Sequence, residues 1–583
     1  MSHIDRRRFL AAGGAAAAGA FALPLIAAAT PGGRGSATAR AAGSPTAGAA
    51  GDPTGTTLAE AATPTPGAGY RRLTAGPGWP LEVRTDLADA APGRADRRTG
   101  IGSLVQLTDL HILDAQSPVR VPYVHPLIGS AYRPQETLTT QGLIALVNRI
   151  NQLRGGPLTG RAFDAVVTTG DNTDNHERIE LEWFLTALSG GTLTPDTGDP
   201  ERYEGPQSTG SPLYWNPEAA DPGLFADAGF PVIEGLLDAA RRPLSSPGLT
   251  TPWYCVFGNH DDSVQGTAPS TELLTGLYTA DFTLGIPGSE AQAREMQRAL
   301  REDPAALPAL AAKSTSPKWD ITPDPRRAPF TPREFIAAHF DPAYTGPGPV
   351  GHGFAPDAAE TGIGYYTFRI AEGVTGIAMD STNRAGFVDG SLGRRQLDWI
   401  EQVLTAGSRR YYGPDGRPHT GGDTDELFLL FSHHTSDTMD MLVPDPEDPA
   451  ESRHSGAELV DLLHRFPNVL GWVNGHTHDN RVIAHRGQTP EQSFWEINTA
   501  SHIDYPQLAR IIEVADNADG TVSLLCTLIE ADAPYTADHT DLSPLGLASL
   551  YRELAFNDVN TDPDRIGDAG DRNVELLLAH PHR

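Results

Sequence analysis

Apolar and polar positions fall into short blocks whose periods alternate between those of strands and helices. The run Ser103-Leu104-Val105-Gln106-Leu107-Thr108 predicts a strand, and Leu143, Leu146, Val147 and Ile150 predict a helix over Leu138 to Leu153. Phe163 to Thr168 predicts the next strand, Glu177 to Leu188 a second helix, and Pro252 to Phe257 a third, buried strand. Further strands are predicted at Gly364–Phe368, Val374–Met379, Leu427–Phe431, Val469–Val473, Trp495–Asn498, Leu508–Val514 and Val522–Leu528. Helices fit Leu392–Leu404 and Ala457–Leu463 between them. No internal repeat is present.

Composition shifts divide the chain. Residues 30–98, rich in Ala, Gly, Pro and Thr, predict a linker-like region that is flexible to Gly67, with a hairpin around Tyr70 to Val83. The body spans 99–530 and carries Pro-, Gly- and Asp-rich inserts at about 189–250 and 284–360. Residues 531–583 form a C-terminal extension, a polar tail with one short helical candidate at Leu547–Phe556. Strands alternating with helices predict a layered α/β body whose ligands gather at the carboxyl ends of strands.

At 583 residues the chain holds ample mass for a large core. Acidic residues outnumber basic ones 74 to 44, and the formal charge of -30 opposes binding to nucleic acid or anionic lipid. A local metal centre can still outweigh that field for a phosphate-bearing substrate. Cys255 and Cys526 each lie in an apolar run, which predicts buried free thiols rather than a disulfide framework.

The N-terminus carries its own message. Arg6-Arg7-Arg8-Phe9-Leu10 precedes an apolar stretch rich in Ala and Gly that reaches Ala29. Residues 1–29 resemble a twin-arginine signal peptide ending at Ala27-Ala28-Ala29. The resemblance implies the twin-arginine export machinery as a partner and an extracellular or cell-envelope location. An uncleaved membrane anchor is the competing reading of the same residues. No later segment is apolar and long enough to span a bilayer, so no stable membrane insertion of the mature chain is expected.

Five polar clusters follow predicted strands. They are Asp109-Leu110-His111, Gly170-Asp171-Asn172-Thr173-Asp174-Asn175, Gly258-Asn259-His260-Asp261, Ser432-His433-His434 and Gly475-His476-Thr477-His478. Each alone is a weak signal; their joint occurrence at strand ends is strong. Imidazole nitrogen with carboxylate or amide oxygen suits borderline divalent ions and ferric iron, and the lack of a cysteine cluster argues against thiolate sites. Two ions about 3.5–4 Å apart can share a bridging carboxylate. Asp109 and His111, two residues apart, are expected to point the same way from an extended strand exit, as are His476 and His478.

Taken in order, these blocks resemble the calcineurin-like metallophosphoesterase superfamily, most of all its twin-arginine-exported bacterial members with large inserts. The resemblance implies a four-layer α/β/β/α sandwich and two divalent or mixed-valence metal ions, Mn, Fe or Zn. One ion is expected at Asp109, His111 and His478, the other at Asn259, His433 and His476, with Asp171 between them. His433 is taken rather than His434 because the family's ligand ends its strand. His260 is expected beside the leaving group, with Asp261 as its orienting neighbour. The implied activity is that of a metal-dependent phosphoric ester hydrolase. It would cleave a small phosphomonoester or phosphodiester by attack of a metal-bridging hydroxide, with no covalent nucleophile. Asp174 replaces the tyrosine of the purple acid phosphatase branch, so no tyrosinate–iron chromophore is expected. The region after Leu528 is too short for the C-terminal domain of the nucleotidase branch.

Weaker candidates surround this set. Asp114 braces the first loop or caps its turn; Asn175 and His176 extend the second cluster, where Asp174 is expected to support the site. Arg384 is a candidate grip on a phosphate oxygen. His502, in the cluster Ser501-His502-Ile503-Asp504, reads as a surface residue or as a contact to substrate or a histidine ligand. His125, His339 and His352 are expected to be exposed. The alternative from another class is a catalytically inactive, metal-containing binding or structural protein of the cell envelope. Decayed enzymes typically lose a ligand, and here the whole set is present.

Overall fold

The structure is a computed structural model that describes residues 51–582 apart from 126–127, 221–222, 270–271, 284–290, 292–318 and 386–387. The signal expected at 1–29 and much of the second insert lie outside the described residues.

Along the chain the strands of the two main sheets are β1 (Glu82–Arg84), β2 (Thr99–Leu107), β3 (Ala165–Thr169), β4 (Trp253–Val256), β5 (Tyr366–Ala371), β6 (Val374–Ala378) and β7 (Leu427–Phe431). They continue with β8 (Val469–Asn474), β9 (Arg481–His485), β10 (Phe494–Asn498), β11 (Ala509–Asp516), β12 (Thr521–Ile529) and β13 (Val574–Ala579). One sheet has the order β1-β13-β12-β11-β2-β3-β4, the other β5-β6-β7-β8-β10-β9, and both are mixed. The parallel neighbours β2, β3 and β4, and likewise β6, β7, β8 and β10, end at one edge of the sandwich. Five of these strands, β2, β3, β4, β7 and β8, deliver the polar clusters.

Side-chain alternation explains the layering. In β7, Leu427, Leu429 and Phe431 join the core between the sheets, whereas Phe428 and Leu430 face the outer helices. That outer layer consists of α3 (Arg394–Ala406) and α4 (Gly456–Leu463), whose Ile400, Leu404, Leu459 and Leu463 share a cluster with Phe428 and Leu430. Across the gap, Tyr254 of β4 stacks on Phe368 of β5 at 4.1 Å between ring centroids. On the opposite outer face lie α1 (Thr139–Leu153) and α2 (Arg178–Ser189), and α5 (Pro544–Asn557) packs on α1. The fold is therefore α/β, two mixed sheets face to face and flanked by helices, as expected. Full burial of each large apolar side chain contributes about 1.5–3 kcal/mol to this packing.

Several expectations need correction. The stretch expected to be flexible up to Gly67 instead forms a strand, Glu60–Pro64, paired antiparallel with Leu73–Pro77. It is anchored because the Thr57 hydroxyl reaches Leu528 O and Asn573 Oδ1, both at 2.9 Å. The C-terminal tail is likewise part of the body. Its Val574–Ala579 strand pairs with β12, and the predicted helix there spans Pro544–Asn557. Neither β13 nor the charged edge strand β9 was predicted; each short run gains its order by pairing at the flank of a strand already in the sheet, β12 for one and β10 for the other.

The first insert shares a second core with the segment before α1 and with α5, in which its Tyr214, Trp215 and Phe225 pack with Tyr132, Leu547 and Tyr551. His125, His339 and His352 are buried, not exposed. His125 Nε2 meets Leu213 O at 2.7 Å, and His352 stacks on Trp253 at 3.5 Å, so aromatic packing holds what isolated sequence context left at the surface. Both cysteines are buried and free, as expected. Among the described residues no helix is long and apolar enough to cross a membrane.

Candidate metal centre

The clusters converge at the strand-end edge of the sandwich. Asp109, His111, Asp171, Asn259 and His260 come from the seven-stranded sheet, and His433, His476 and His478 from the six-stranded one. His111 Nε2 lies 3.3 Å from His478 Nε2, which in turn lies 3.3 Å from Asp109 Oδ1. On the other side His433 Nε2 is 3.2 Å from His476 Nδ1. Asp171 Oδ2 stands between, 3.6 Å from His111 Nε2 and 3.1 Å from His433 Nε2.

The convergence does not come from extended strand exits, and this corrects the expectation. Asp109 (φ 50°), His111 (43°), Asp171 (51°), His476 (72°) and His478 (61°) all adopt left-handed backbone. Such residues cost roughly 1–3 kcal/mol each and persist where the surroundings over-determine them. Two glycines make the close approach possible. A Cβ on Gly475 would lie 1.9 Å from Thr108 Oγ1, and one on Gly258 would lie 2.2 Å from Asp171 N.

Hydrogen bonds fix which nitrogen of each ring is free. His111 Nδ1 meets Asp174 Oδ1 at 2.9 Å, His433 Nδ1 meets Thr169 O at 2.9 Å, and His478 Nδ1 meets Asp504 Oδ2 at 2.7 Å. Donation from Nδ1 leaves the Nε2 lone pair of each ring facing the centre. The Asn259 amide donates to Gly266 O at 3.0 Å, which turns its Oδ1 the other way, buried and without a protein partner. Buried acceptor atoms held within a few ångströms of one another, with their donors spent elsewhere, fit cations. These His and Asp residues are positioned to chelate two closely spaced metal ions.

The electrostatics are those of a site that draws positive charge: against the cost of burial, Asp171 raises His433 to about 9 and Asp109 raises His478. Burial resists charge on Asp171, yet His433 and His260 hold its carboxyl well below the usual range. Asp174 is held well below it too, by its bonds to His111 and His260 against the cost of burial. Burial and the neighbouring His260 lower His111 to about 4, which keeps that ring neutral. At His260 burial is overcome by Asp171 and Asp174, and its pKa rises to about 9.

The remaining candidates separate by contact. His260 Nδ1 meets Asp174 O at 3.0 Å and Oδ1 at 3.2 Å, while its Nε2 lies 3.9 Å from Asp171 Oδ2. Asp261 does not orient that ring, which is a correction. Its carboxylate accepts from the backbone of Gly258, Asn172 and Thr173 and from the Asn172 and Thr173 side chains, tying two ligand loops together. His434 is spent on Ser381 Oγ and Val388 O, both at 2.8 Å, although it stands close to His433 and His476. Asp114 both caps its turn through Gln116 N and pairs with Arg327 Nε at 2.8 Å. Asn175 is bound to Glu180, and His176 Nδ1 to Phe330 O. His502 is buried against Tyr551 rather than at the surface. Arg384 is held by Asp380 at 2.5 Å and lies over the Phe257 ring, so its charge is already answered by protein.

Asp504 is the residue that sequence reasoning underweighted. It lay in the Ser501–Asp504 cluster after a predicted strand, but nothing local tied its carboxylate to His478.

No family model matches the chain, and no curated protein matches it. Among solved structures, the crystal structure of a dimetal phosphatase from Danio rerio aligns at 12% identity and a TM-score of 0.30, covering 74% of this chain and 99% of that one. The chain's own geometry defines its class: a two-sheet α/β sandwich that gathers His and Asp ligands for two ions at one edge.

Proposed function

We propose that the protein is a calcineurin-like, metal-dependent phosphoric ester hydrolase acting on a small phosphomonoester or phosphodiester. The observation that carries this is Asp171 Oδ2 lying between His111 Nε2 and His433 Nε2, ligands from two different sheets. Two bound ions, Mn, Fe or Zn, would supply Lewis-acid stabilisation of phosphoryl oxygens and activate water as the nucleophile. Asp109, His111 and His478 would hold one, Asn259, His433 and His476 the other, and Asp171 would face both.

The chain's own groups do the rest. Asp174 holds His260 through Nδ1, which presents Nε2 toward the centre with a proton for the departing oxygen. The Asp174 carboxylate beside Nδ1 favours the protonated ring. Asp261 keeps the Asn172 and Gly258 loops in register beneath it. Supporting export is the run Arg6-Arg7-Arg8-Phe9-Leu10 with its apolar continuation, which fits an extracellular or envelope enzyme delivered by the twin-arginine route.

The test is hydrolysis of aryl phosphate mono- and diesters after dialysis and after addition of Mn²⁺, Zn²⁺ or Fe. Metal-dependent turnover is expected, with Asp171→Asn slower by more than about a hundredfold. Full occupancy of both ions without hydrolysis of either ester would replace this reading with a binding protein of the envelope.

A further inference from the structure

Asp504 orients His478, and Asp504 is itself held from two directions. Arg133 grips it through Nε at 2.5 Å and Nη2 at 3.1 Å, from the segment before α1. Arg565 reaches the same Oδ2 atom at 2.6 Å from the C-terminal segment after α5. The segment is also tied by backbone to the turn that follows His478. Asn480 N donates to Arg565 O at 2.9 Å, and Gly567 passes so close that a Cβ there would lie 2.5 Å from Asn480 O. Farther along, the buried Arg510 donates to Arg572 O and Asp571 O at 2.7 and 2.9 Å, and Val482 N donates to Asp571 Oδ1 at 2.8 Å.

The geometry points to Arg565 as a positioning residue, and to segment 563–572 as an element whose docking is coupled to cation binding at Asp109, His111 and His478. This rests on the metal-centre reading above. A histidine ligand is set by the carboxylate behind it, and that carboxylate needs its own fixed partners. When the segment is docked, Arg565 fixes Asp504, and His478 keeps Nδ1 on Asp504 and Nε2 toward the ion. Coupling of this kind is reciprocal, so a bound cation should also hold the segment down.

The experiment uses the full chain with Arg565→Met and Arg565→Lys. Affinity for Mn²⁺ and Zn²⁺ is measured by competition with a chelator, and hydrogen exchange of residues 563–572 is followed with and without metal. We expect Arg565→Met to weaken one of the two ions by about tenfold and the other little, with Arg565→Lys restoring most of the loss. In the parent, metal should slow exchange across 563–572. Parent-like affinity for both ions in Arg565→Met overturns the inference, as does equal weakening of both, which marks a merely structural role. Should Arg565→Met fail to fold, exchange in the parent decides: a segment indifferent to metal overturns it. These readouts do not involve turnover, so a protein that shows the coupling but cleaves no phosphoester refutes the hydrolase reading alone.

Discussion

Asp171 Oδ2 lies 3.1 Å from His433 Nε2, although the two residues end strands of different sheets. The centre therefore acts as a clasp across one edge of the sandwich, and it exists only when the sheets are stacked. Ligands that bind only the folded state stabilise it by mass action.

Chelation should accordingly loosen the whole fold. Exhaustive removal of metal is expected to lower Tm by several degrees, and added Mn²⁺ or Zn²⁺ to restore it, as read by scanning calorimetry. An unchanged Tm would mean that no ion bridges the sheets.

Asp174 carries His111 and His260 on the same oxygen, Oδ1. Asp174→Asn removes the charge and leaves one carbonyl for two ring N–H groups. Turnover should fall about 10- to 100-fold with KM nearly constant. Steady-state kinetics on the metal-loaded variant provide the check, and a parent-like kcat would refute the orienting role.

Gly142 lies inside α1, where alanine ordinarily stabilises a helix by about 1 kcal/mol. Here a Cβ would sit 2.4 Å from the Tyr551 ring and 3.1 Å from His502 Nε2. Overpacking of about 1–3 kcal/mol should outweigh the helix gain, so Gly142→Ala is expected to lower Tm. A higher Tm would show that α5 yields.

Arg384 is a largely shielded partner of Asp380 and Asp262, and burial together with Asp380 pushes Asp262 to about 7 despite the arginine. Arg384→Ala strands those carboxyls and should cost about 3–5 kcal/mol of stability, read by urea unfolding. The substrate KM should stay unchanged; a large rise in KM would return Arg384 to the phosphate site.

Buried histidines without a carboxylate partner set the acid limit. Burial, with help from His352, lowers His339 to about 3, while an unfolded histidine titrates near 6.5. Between those values the unfolded chain binds the extra proton, so the stability His339 contributes is present at neutral pH and lost as pH falls below about 6.5. At pH 5 that loss is about 2 kcal/mol for this residue. His339→Gln should shrink the difference in urea-unfolding free energy between pH 7.5 and pH 5 by about that amount. An undiminished difference would show that His339 does not titrate on unfolding.

The legible part of the fold was the part with local periodicity. Strands such as Tyr366–Ala371 and helices such as Arg394–Ala406 bury one face per alternate residue or per turn, and the pattern survives in sequence. The N-terminal strand at Glu60–Pro64 and the C-terminal strand at Val574–Ala579 lacked that signal, because the first is tied down by Ala62 N donating to Glu530, hundreds of residues away, and the second by pairing with the long strand β12. Burial of His125, His339 and His352 was equally invisible, since aromatic neighbours from other segments, Phe225 for the first and Trp253 for the other two, enclose them.

By itself the sequence determined which donor types meet cations and in which order along the chain they follow strands, because coordination chemistry restricts residue type and strand ends restrict position. Tertiary structure alone decided the rest: that Asp261 ties loops while Asp174 turns His260, that His434 is spent on Ser381, and that Arg565 backs Asp504. A side chain's role depends on which atoms surround it in space. Left-handed turns at five of the ligand residues set those neighbours, and residue spacing carries no record of them.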